Sequence, residues 1–341
     1  MANFPAIKSP LRIGILGCAN IARQFCAALK DCRMARVDAV GSRTSATASA
    51  FAADQGIGRF HASYEALLED PLLDAIYLPL PNSMHMEWAI KAAQAGKHIL
   101  CEKPMALNLT EASAMFDAAS ANGVMLLEAF PWYFQPQTRE LVSLLQEGTI
   151  GQVRTVQASF GFTMPHPQGN IRMNPELGGG ALLDAGSYAL SMIRLAMGEA
   201  PMKVMSQAQW ADTGVDISMM ATLFYANGRC AQLACAMDIA NHRRAILIGT
   251  QGIVDTEFLN HTSEQVPSQL RLRRGTGFNI PFENIPSAMG NGFRFAAEAF
   301  AQVIAARDFA AIERAAAASR DNAATLDALA RSAKLNQMVE L

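Results

Sequence analysis

The sequence has no long apolar run, no dense block of basic residues and no cysteines at metal-binding spacing. Its 341 residues carry 28 Lys and Arg against 30 Asp and Glu, a formal net charge of -2. We therefore expect a small-molecule partner and neither nucleic acid nor a membrane. The six cysteines lie singly along the chain, which predicts reduced thiols, no disulfide framework and no metal site. Since the N-terminus shows no basic region followed by an apolar segment, a cytoplasmic location is expected.

Apolar residues make up 51% of the chain, which is enough to form the cores of two domains. From residue 11 to about 130, short apolar runs alternate with helical patterns, which is typical of βαβ units. We therefore predict an N-terminal α/β Rossmann domain over residues 1–130, with a doubly wound parallel sheet. Its predicted strands are 12–16, 36–42, 59–60, 74–78, 98–101 and 124–128, and its helices are 19–29, 45–55, 64–69, 83–95 and 110–121.

After residue 131 the pattern changes, because several β-like segments follow one another without helices between them. This favours an α+β domain over residues 131–341 with a large, mostly antiparallel open sheet, and with the final helix able to pack back on the first domain. The predicted strands are 153–162, 202–210, 218–225, 230–237, 245–249 and 270–273, and the helices are 180–197, 291–307 and 310–338.

A strand-to-helix turn near the N-terminus has small residues at the spacing of a dinucleotide fingerprint. Its residues are Gly17, Cys18, Ala19, Asn20, Ile21 and Ala22. Gly17 permits a tight turn, Ala19 lets the backbone approach a pyrophosphate at the helix N-terminus, and Ala22 lets helix and strand pack closely. The pattern predicts dinucleotide binding by this turn, and the alternative is a tight turn without a ligand.

Arginine and hydroxyl side chains end the second predicted strand, where NAD-preferring sites usually have an acidic residue. Arg43 can hold a ribose 2'-phosphate by charge-assisted hydrogen bonds, with the Ser42 and Thr44 hydroxyls as further donors. Asp38 lies earlier, inside the strand, and is poorly placed for the ribose. The pattern favours NADP(H) over NAD(H). The alternative for Arg43 is an ordinary surface arginine at the start of a helix.

A proline-containing loop follows the predicted strand 74–78. Pro79 and Pro81 keep its backbone out of a helical conformation. We expect Pro79, Leu80 and Asn82 to support the nicotinamide side of the cofactor, with Asn82 bonding the ribose. His85, at the start of the next helix, is either a cofactor-contacting residue or a packed histidine with internal partners.

The predicted strand 98–101 is followed by Glu102, Lys103 and Pro104. An open parallel sheet binds ligands beyond the carboxyl ends of its strands. A lysine that precedes proline is also stiffer than an average surface lysine. Lys103 is therefore a candidate for contact with a substrate, and the alternative is a solvated lysine in a turn.

Several motifs resemble, in the same order, those of the Gfo/Idh/MocA oxidoreductases, and the resemblance covers nearly the whole chain. They are the turn at 14–22, the loop at 79–85, Cys-Glu-Lys-Pro at 101–104 and Glu-Ala-Phe at 128–130. Residues 178–188, Gly-Gly-Gly-Ala-Leu-Leu-Asp-Ala-Gly-Ser-Tyr, are similar to the catalytic helix of one branch. That branch contains glucose-fructose oxidoreductase, dimeric dihydrodiol dehydrogenase and NADP-dependent xylose dehydrogenase.

The resemblance implies roles for individual residues. In this family the lysine of Glu-Lys-Pro faces the substrate beside the nicotinamide, which implies that role for Lys103 and positioning roles for Glu102 and Pro104. Tyr188 stands where many members have histidine and is implied as the proton donor or acceptor. Asp184, one helical turn earlier, is implied to orient the substrate or catalytic side chains. Without the resemblance, Tyr188 would be a core tyrosine and Asp184 a capping or packing carboxylate.

One stretch departs from the family pattern, because relatives often have arginine and histidine where this chain has Tyr133 and Gln135. The pocket wall should therefore be more aromatic and less cationic, which argues against a phosphorylated or carboxylated substrate. Trp132, Tyr133 and Phe160 could stack on a sugar or a cyclic diol. Packing within the sheet explains Phe160 and Phe162 equally well.

Residues and resemblance together imply an NADP(H)-dependent oxidoreductase acting on an aldose or a related cyclic polyol or diol. Tyr188 would exchange a proton with the substrate oxygen while Lys103 stabilises its charge. A free phenol has a pKa of about 10, and a nearby ammonium favours its ionised form. The alternatives are a sugar-sugar oxidoreductase that keeps NADP bound, and a regulatory sensor without turnover. The open sheet and the resemblance also imply a homo-oligomer, a dimer or a tetramer.

Overall fold

The computed structural model describes residues 10–341, which form two compact units. The first unit comprises residues 10–106, 110–131 and 291–319, and the second comprises 107–109, 132–290 and 320–341. The boundary between residues 131 and 132 lies beside the division predicted after residue 130. Segment 291–319 belongs to the first unit because its apolar side chains, such as Phe293 and Phe300, are buried in that unit's core. No local sequence pattern indicates a contact over this distance.

The first unit is a parallel sheet flanked by helices. Its strands are β1 (Leu11–Leu16), β2 (Ala35–Gly41), β3 (Arg59–His61), β4 (Ala75–Leu78), β5 (His98–Glu102) and β6 (Leu126–Ala129). The helices between and after them are α1 (Asn20–Leu29), α2 (Ser45–Gln55), α3 (Tyr64–Leu68), α4 (His85–Gln94) and α5 (Leu109–Ala121). The elements predicted for this half are all present, with ends displaced by at most a few residues.

The strand order in this sheet is β3-β2-β1-β4-β5-β6, and all neighbouring strands are parallel. After β3 the chain crosses to the other side of β1, so the carboxyl ends of β1 and β4 mark the point where strand order reverses. Strands β4 and β5 are buried along their whole length, as expected of strands covered on both faces. The predicted doubly wound Rossmann sheet is confirmed.

The second unit is built on a nine-stranded sheet. Its strands are β7 (Val153–Thr163), β8 (Lys203–Trp210), β9 (Asp216–Phe224), β10 (Cys230–Ala236), β11 (Asp238–Gly249), β12 (Gly252–Glu257), β13 (Leu270–Arg274), β14 (Glu283–Asn284) and β15 (Val339–Glu340). The remaining helices of the chain are α6 (Pro136–Gln146), α7 (Ser187–Met197), α8 (Gly292–Ala306) and α9 (Phe309–Leu335). Of these, α8 and the start of α9 belong to the first unit.

The strand order of the second sheet is β14-β13-β12-β11-β7-β10-β9-β8-β15. Between residues 10 and 341, its neighbouring strands are antiparallel except for β7 and β10. Helix α7 packs on one face against β7, β10 and β11. The other face carries exposed side chains such as Gln157, Gln232 and Met220, which is 71% exposed. The predicted α+β domain with a mostly antiparallel open sheet is confirmed, and the homo-oligomer stays a prediction.

Several elements of the second unit differ from the prediction. The helix predicted over 180–197 is a π-helical turn, Leu182–Gly186, that continues into α7. Helix α6 was not predicted, although it begins with Pro136 at a position where helices tolerate proline. Strand β12 was also missed, although Ile253, Val254 and Thr256 favour strands, because only five residues follow its opening glycine.

No helix among the described residues has both the length and the apolar character needed to cross a bilayer. In residues 10–341 no three His, Cys, Asp or Glu side chains are grouped so that they could hold a metal ion. All six cysteines are free thiols.

Candidate active site

The turn after β1 has the geometry that a dinucleotide requires. Gly17 has a φ of +113°, a backbone conformation that residues with side chains rarely adopt. A Cβ added at Gly17 would lie 2.8 Å from Cδ2 of Leu80, in the loop after β4. Helix α1 begins at Asn20, and within the described chain no side chain caps its N-terminus. Its first N–H groups can therefore bind an anion, so the residues here fit a pyrophosphate.

The side chains predicted to contact a 2'-phosphate lie at the end of β2. Ser42 is buried, whereas Arg43 is exposed beside the Tyr64 hydroxyl. Burial raises the pKa of Tyr64, and the neighbouring guanidinium opposes this effect. The Thr44 hydroxyl accepts a 3.3 Å hydrogen bond from the N–H of Thr47 as the N-cap of α2. Arg43 thus presents a cation at this end of the sheet, while Thr44 also has a structural role.

The loop after β4 is fastened by His85. The His85 ring is fully buried, with Nδ1 3.0 Å from the carbonyl oxygen of Pro104 and Nε2 2.8 Å from that of Leu80. Burial lowers the pKa of His85, and the two carbonyl oxygens act in the opposite direction. His85 is therefore a packed histidine that joins the loops after β4 and β5, and the cofactor contact predicted for it would be indirect. Asn82 begins the 3-10 helix of the first of these loops.

Lys103 follows directly after β5 and is half-buried, and its peptide bond to Pro104 is cis. The preceding Glu102 is buried, and its Oε1 accepts a 2.6 Å hydrogen bond from the hydroxyl of Tyr77. The other oxygen, Oε2, accepts a 3.3 Å bond from the backbone N–H of Lys103. Glu102 therefore fixes the backbone that carries the lysine.

A second buried carboxyl group, on the neighbouring strand β6, supports the same segment. Glu128 accepts hydrogen bonds from the N–H of Met105 at 2.9 Å and from the hydroxyl of Ser319 at 2.6 Å. Burial raises the pKa of Glu128 to about 7, although these bonds and the charge of Lys103 oppose the shift. The chain on both sides of Lys103 is therefore held by buried carboxyl groups.

Tyr188 lies in the first turn of α7 and is only 5% exposed. Its hydroxyl oxygen accepts a 3.0 Å hydrogen bond from Nδ2 of Asn260. The guanidinium carbon of Arg243 lies 4.2 Å from the centroid of its ring, and Phe160 contacts the ring edge-on at 5.4 Å between centroids. The predicted catalytic phenol thus lies beside a cation from its own unit.

Asp184 lies in the π-helical turn before α7, and its Oδ2 is 2.5 Å from Nε of Arg172. A π-helical turn has a wider hydrogen-bonding pattern than an α-helix, so the simple four-residue spacing to Tyr188 does not apply. Arg243 interacts electrostatically with both Tyr188 and Asp184. The two predicted site residues therefore lie around one guanidinium group.

The predicted aromatic wall needs correction. Trp132 is fully buried, donates a 3.2 Å hydrogen bond from Nε1 to Ser191 and packs against Phe258. It belongs to the core of the second unit, since a ring without exposed surface cannot stack on a substrate. Tyr133 is 45% exposed and Phe160 is half-buried, so these two remain candidates for the wall.

Gln135 and two arginines add polar contacts to this region. Gln135 is buried, and its Nε2 donates hydrogen bonds to the carbonyl oxygens of Asn260 at 2.6 Å and Gly290 at 3.0 Å. It therefore supports the backbone of Asn260. Arg243 lies against Tyr188, and Arg172 pairs with Asp184, so each of these two predicted site residues has a cation beside it. That the pocket wall is less cationic than in the relatives stays a prediction.

Sequence reasoning missed Arg243, Asn260 and Arg172. Arg243 had a usable signal, because strand side chains alternate between faces and it shares parity with the buried Ala245 and Leu247. An arginine on the inward face of a strand is unusual enough to suggest a site. Asn260 and Arg172 lie outside helices α1–α9 and strands β1–β15, and no local pattern distinguishes them from other polar residues.

Family models match both halves of the chain. One, described as an oxidoreductase family with an NAD-binding Rossmann fold, matches residues 11–130. Another, described as the GFO/IDH/MocA C-terminal domain, matches residues 138–255. The predictions of an oxidoreductase and of a nicotinamide dinucleotide cofactor are confirmed.

Individual relatives match along most of their length. D-xylose 1-dehydrogenase (NADP(+)) 2 from Haloferax volcanii is 32% identical over 97% of this chain and 100% of its own. Trans-1,2-dihydrobenzene-1,2-diol dehydrogenase from Danio rerio is 33% identical over 84% of this chain and 86% of its own. A crystal structure of a 3-ketoreductase from Actinomadura kijaniata with NADP and TDP-benzene has a TM-score of 0.83 and 31% identity, covering 95% of this chain and 98% of that one. These matches show that the chain belongs to the Gfo/Idh/MocA family of oxidoreductases.

Proposed function

We propose that the protein is an NADP(H)-dependent oxidoreductase that interconverts a hydroxyl and a carbonyl group on an aldose or a related cyclic polyol or diol. The main support for this proposal is the environment of Tyr188. This buried side chain accepts a hydrogen bond from Asn260 at its phenol oxygen, and its ring lies against Arg243. Such a phenol is suited to proton transfer. The substrate class is supported by two matched relatives that are named dehydrogenases of D-xylose and of a dihydrobenzene diol.

The reaction combines hydride transfer with proton transfer. When bound, the dinucleotide supplies the hydride to the carbonyl carbon or receives it from the alcohol carbon. In reduction, Tyr188 gives its phenolic proton to the substrate oxygen and recovers a proton from solvent. In oxidation, the phenolate takes the hydroxyl proton. Lys103 donates a hydrogen bond to the same oxygen and stabilises its negative charge. Asp184, which is paired with Arg172, orients the substrate or the catalytic side chains.

The cofactor preference depends on Arg43. Replacing Arg43 with alanine is expected to weaken NADPH binding by about 10- to 100-fold, because a charge-assisted pair with the 2'-phosphate is lost. NADH lacks that phosphate, so its affinity should stay within about twofold of the original value. The acidic residue of β2, Asp38, pairs with Arg36 at 2.7 Å and so has a partner other than the ribose. Fluorescence titration with both dinucleotides measures the change.

A matched control for Arg43 is the exposed Arg33, which precedes the opposite end of β2. The Arg33→Ala variant removes the same charge away from the carboxyl ends of the strands and should bind both dinucleotides normally. If Arg43→Ala weakened NADH and NADPH equally, or changed neither, Arg43 would not be the 2'-phosphate ligand.

The proposed activity is tested by an initial-rate screen. NADP⁺ is offered with aldoses, inositols and trans-diols, and NADPH with dicarbonyl compounds. We expect turnover with at least one aldose or cyclic diol and a preference for the phosphorylated dinucleotide. Tight NADPH binding without turnover across the panel would contradict the proposal and favour a regulatory sensor. Cofactor that stays bound through purification, together with ping-pong kinetics, would instead indicate transfer between two sugars.

A further inference from the structure

The second unit contains a half-buried arginine that the family motifs do not include. Arg243 lies on β11 opposite Phe160 of β7. Its guanidinium carbon is 4.0 Å from the ring centroid of Phe160 and 4.2 Å from that of Tyr188. The cation is therefore held between two aromatic rings, one of which carries the proposed catalytic hydroxyl.

Asn260 links the arginine to the phenol oxygen. Nη1 of Arg243 donates a 2.9 Å hydrogen bond to Oδ1 of Asn260, and Nδ2 of Asn260 donates a 3.0 Å bond to the hydroxyl oxygen of Tyr188. A guanidinium can only donate, so it fixes which end of the amide faces it. The NH₂ group of Asn260 must then face the phenol. The side-chain amide of Gln135 also fixes the backbone of Asn260, because its Nε2 donates a hydrogen bond to the carbonyl oxygen of Asn260.

We propose that Arg243 is a positioning residue that holds Tyr188 ready for proton transfer, by orienting Asn260 and by packing its guanidinium against the ring. The hydrogen bond donated by the Asn260 amide occupies one acceptor site on the phenol oxygen and so directs the O–H towards another partner. This inference rests on the proposed role of Tyr188 as the proton donor and acceptor.

The other titratable groups around Tyr188 in its own unit come from the elements packed against α7. The π-helical turn supplies Asp184, which is paired with Arg172. Strand β10 supplies the thiol of Cys235, whose pKa is raised by burial. Strand β11 supplies Arg243, whose pKa is lowered by burial and raised by the neighbouring phenol and carboxylate. Arg243 contacts both the ring of Tyr188 and the side chain of Asn260, which is the basis of the role proposed for it.

Conservative variants test this chain of hydrogen bonds, using NADP⁺ and the most active substrate of the initial-rate screen. Arg243→Lys keeps a cation that can donate to Asn260 and should retain most of the activity, whereas Arg243→Met removes that donor. Asn260→Leu removes the bond to the phenol oxygen and should lower the rate about as far as Arg243→Met. Fluorescence titration with NADPH should give affinities within about twofold of the original value for all three variants.

A double-mutant comparison separates an effect through the phenol from a structural effect. Arg243→Met should lower kcat by about 10- to 100-fold, with a smaller change in KM. In a Tyr188→Phe background the same substitution should have an effect below about twofold, because Arg243 acts through the phenol. The matched control is Arg244→Met, since the neighbouring Arg244 points to the other sheet face and pairs with Asp255 at 2.6 Å. It should leave kcat and NADPH affinity unchanged.

The possible outcomes distinguish an error in the role of Arg243 from an error in the proposed function. If Tyr188→Phe is inactive but Arg243→Met and Asn260→Leu retain the original kcat, the role of Arg243 is wrong and the proposed function stands. If Arg243→Met lowers activity equally in the presence and absence of the Tyr188 hydroxyl, its role is only structural. Full activity of Tyr188→Phe overturns the proposed mechanism and, with it, the purpose assigned to Arg243.

Discussion

Replacing Tyr188 with phenylalanine is expected to lower kcat by about 10²- to 10⁴-fold, because the proton donor and acceptor of the reaction is removed. The substitution deletes one oxygen atom from a side chain whose ring packs against Phe160 and Arg243, and that packing is preserved. Affinity for NADPH should stay within about twofold, since the dinucleotide fingerprint belongs to the other unit of the chain. Steady-state rates and NADPH titration of the same preparations measure both quantities.

Tyr225 offers a matched control for this experiment. Its hydroxyl is buried at the end of β9, and no residue in the described part of the chain forms a hydrogen bond with it. Tyr225→Phe therefore removes the same atom without a lost hydrogen bond, and kcat should stay within about twofold. If the two phenylalanine variants had similar, near-normal activity, the phenol of Tyr188 would have no part in catalysis.

The fold of the first unit was predictable because its information is local. Buried strands such as β4 and β5 are short apolar runs, and the intervening helices have clear boundaries, such as the left-handed Gly56 after α2. The position of α8 was not predictable, because its burial beside Phe25 depends on a contact across more than half the sequence. Strand β12 was missed because it is short, and helix α6 was missed although its buried Leu141 and Leu144 have helical spacing.

The candidate site was predictable only where a motif carries it. Gly17, Lys103 and Tyr188 each belong to a local pattern whose chemistry can be argued from neighbouring residues. Arg243 and Asn260 reach Tyr188 from other parts of the chain, and their contacts exist only once β11 pairs with β7. Trp132 shows the opposite error, because its neighbours suggested a pocket wall and the fold buries it completely.

Replacing Lys103 with methionine is expected to lower kcat by about 10²- to 10³-fold. Methionine keeps a similar length but removes the ammonium that would donate a hydrogen bond to the developing negative charge on the substrate oxygen. The backbone should stay in place, because Glu102 and Glu128 bond to the N–H groups of Lys103 and Met105. The loss should therefore appear mainly in kcat, with a smaller effect on NADPH affinity, in single-turnover and steady-state measurements.

Lys91 on α4 is the control for this substitution. It is paired with Glu87 at 2.6 Å in an exposed ion pair of the kind that contributes little to stability. Lys91→Met should leave the kinetics unchanged. Equal rates for the two methionine variants would show that Lys103 is an ordinary surface lysine without a catalytic role. Lys103→Ala adds a stricter test, because propylamine can supply an ammonium to the vacated space. Partial recovery of its rate would require the charge itself, whereas a lysine that only supports the loop could not be replaced by a free amine.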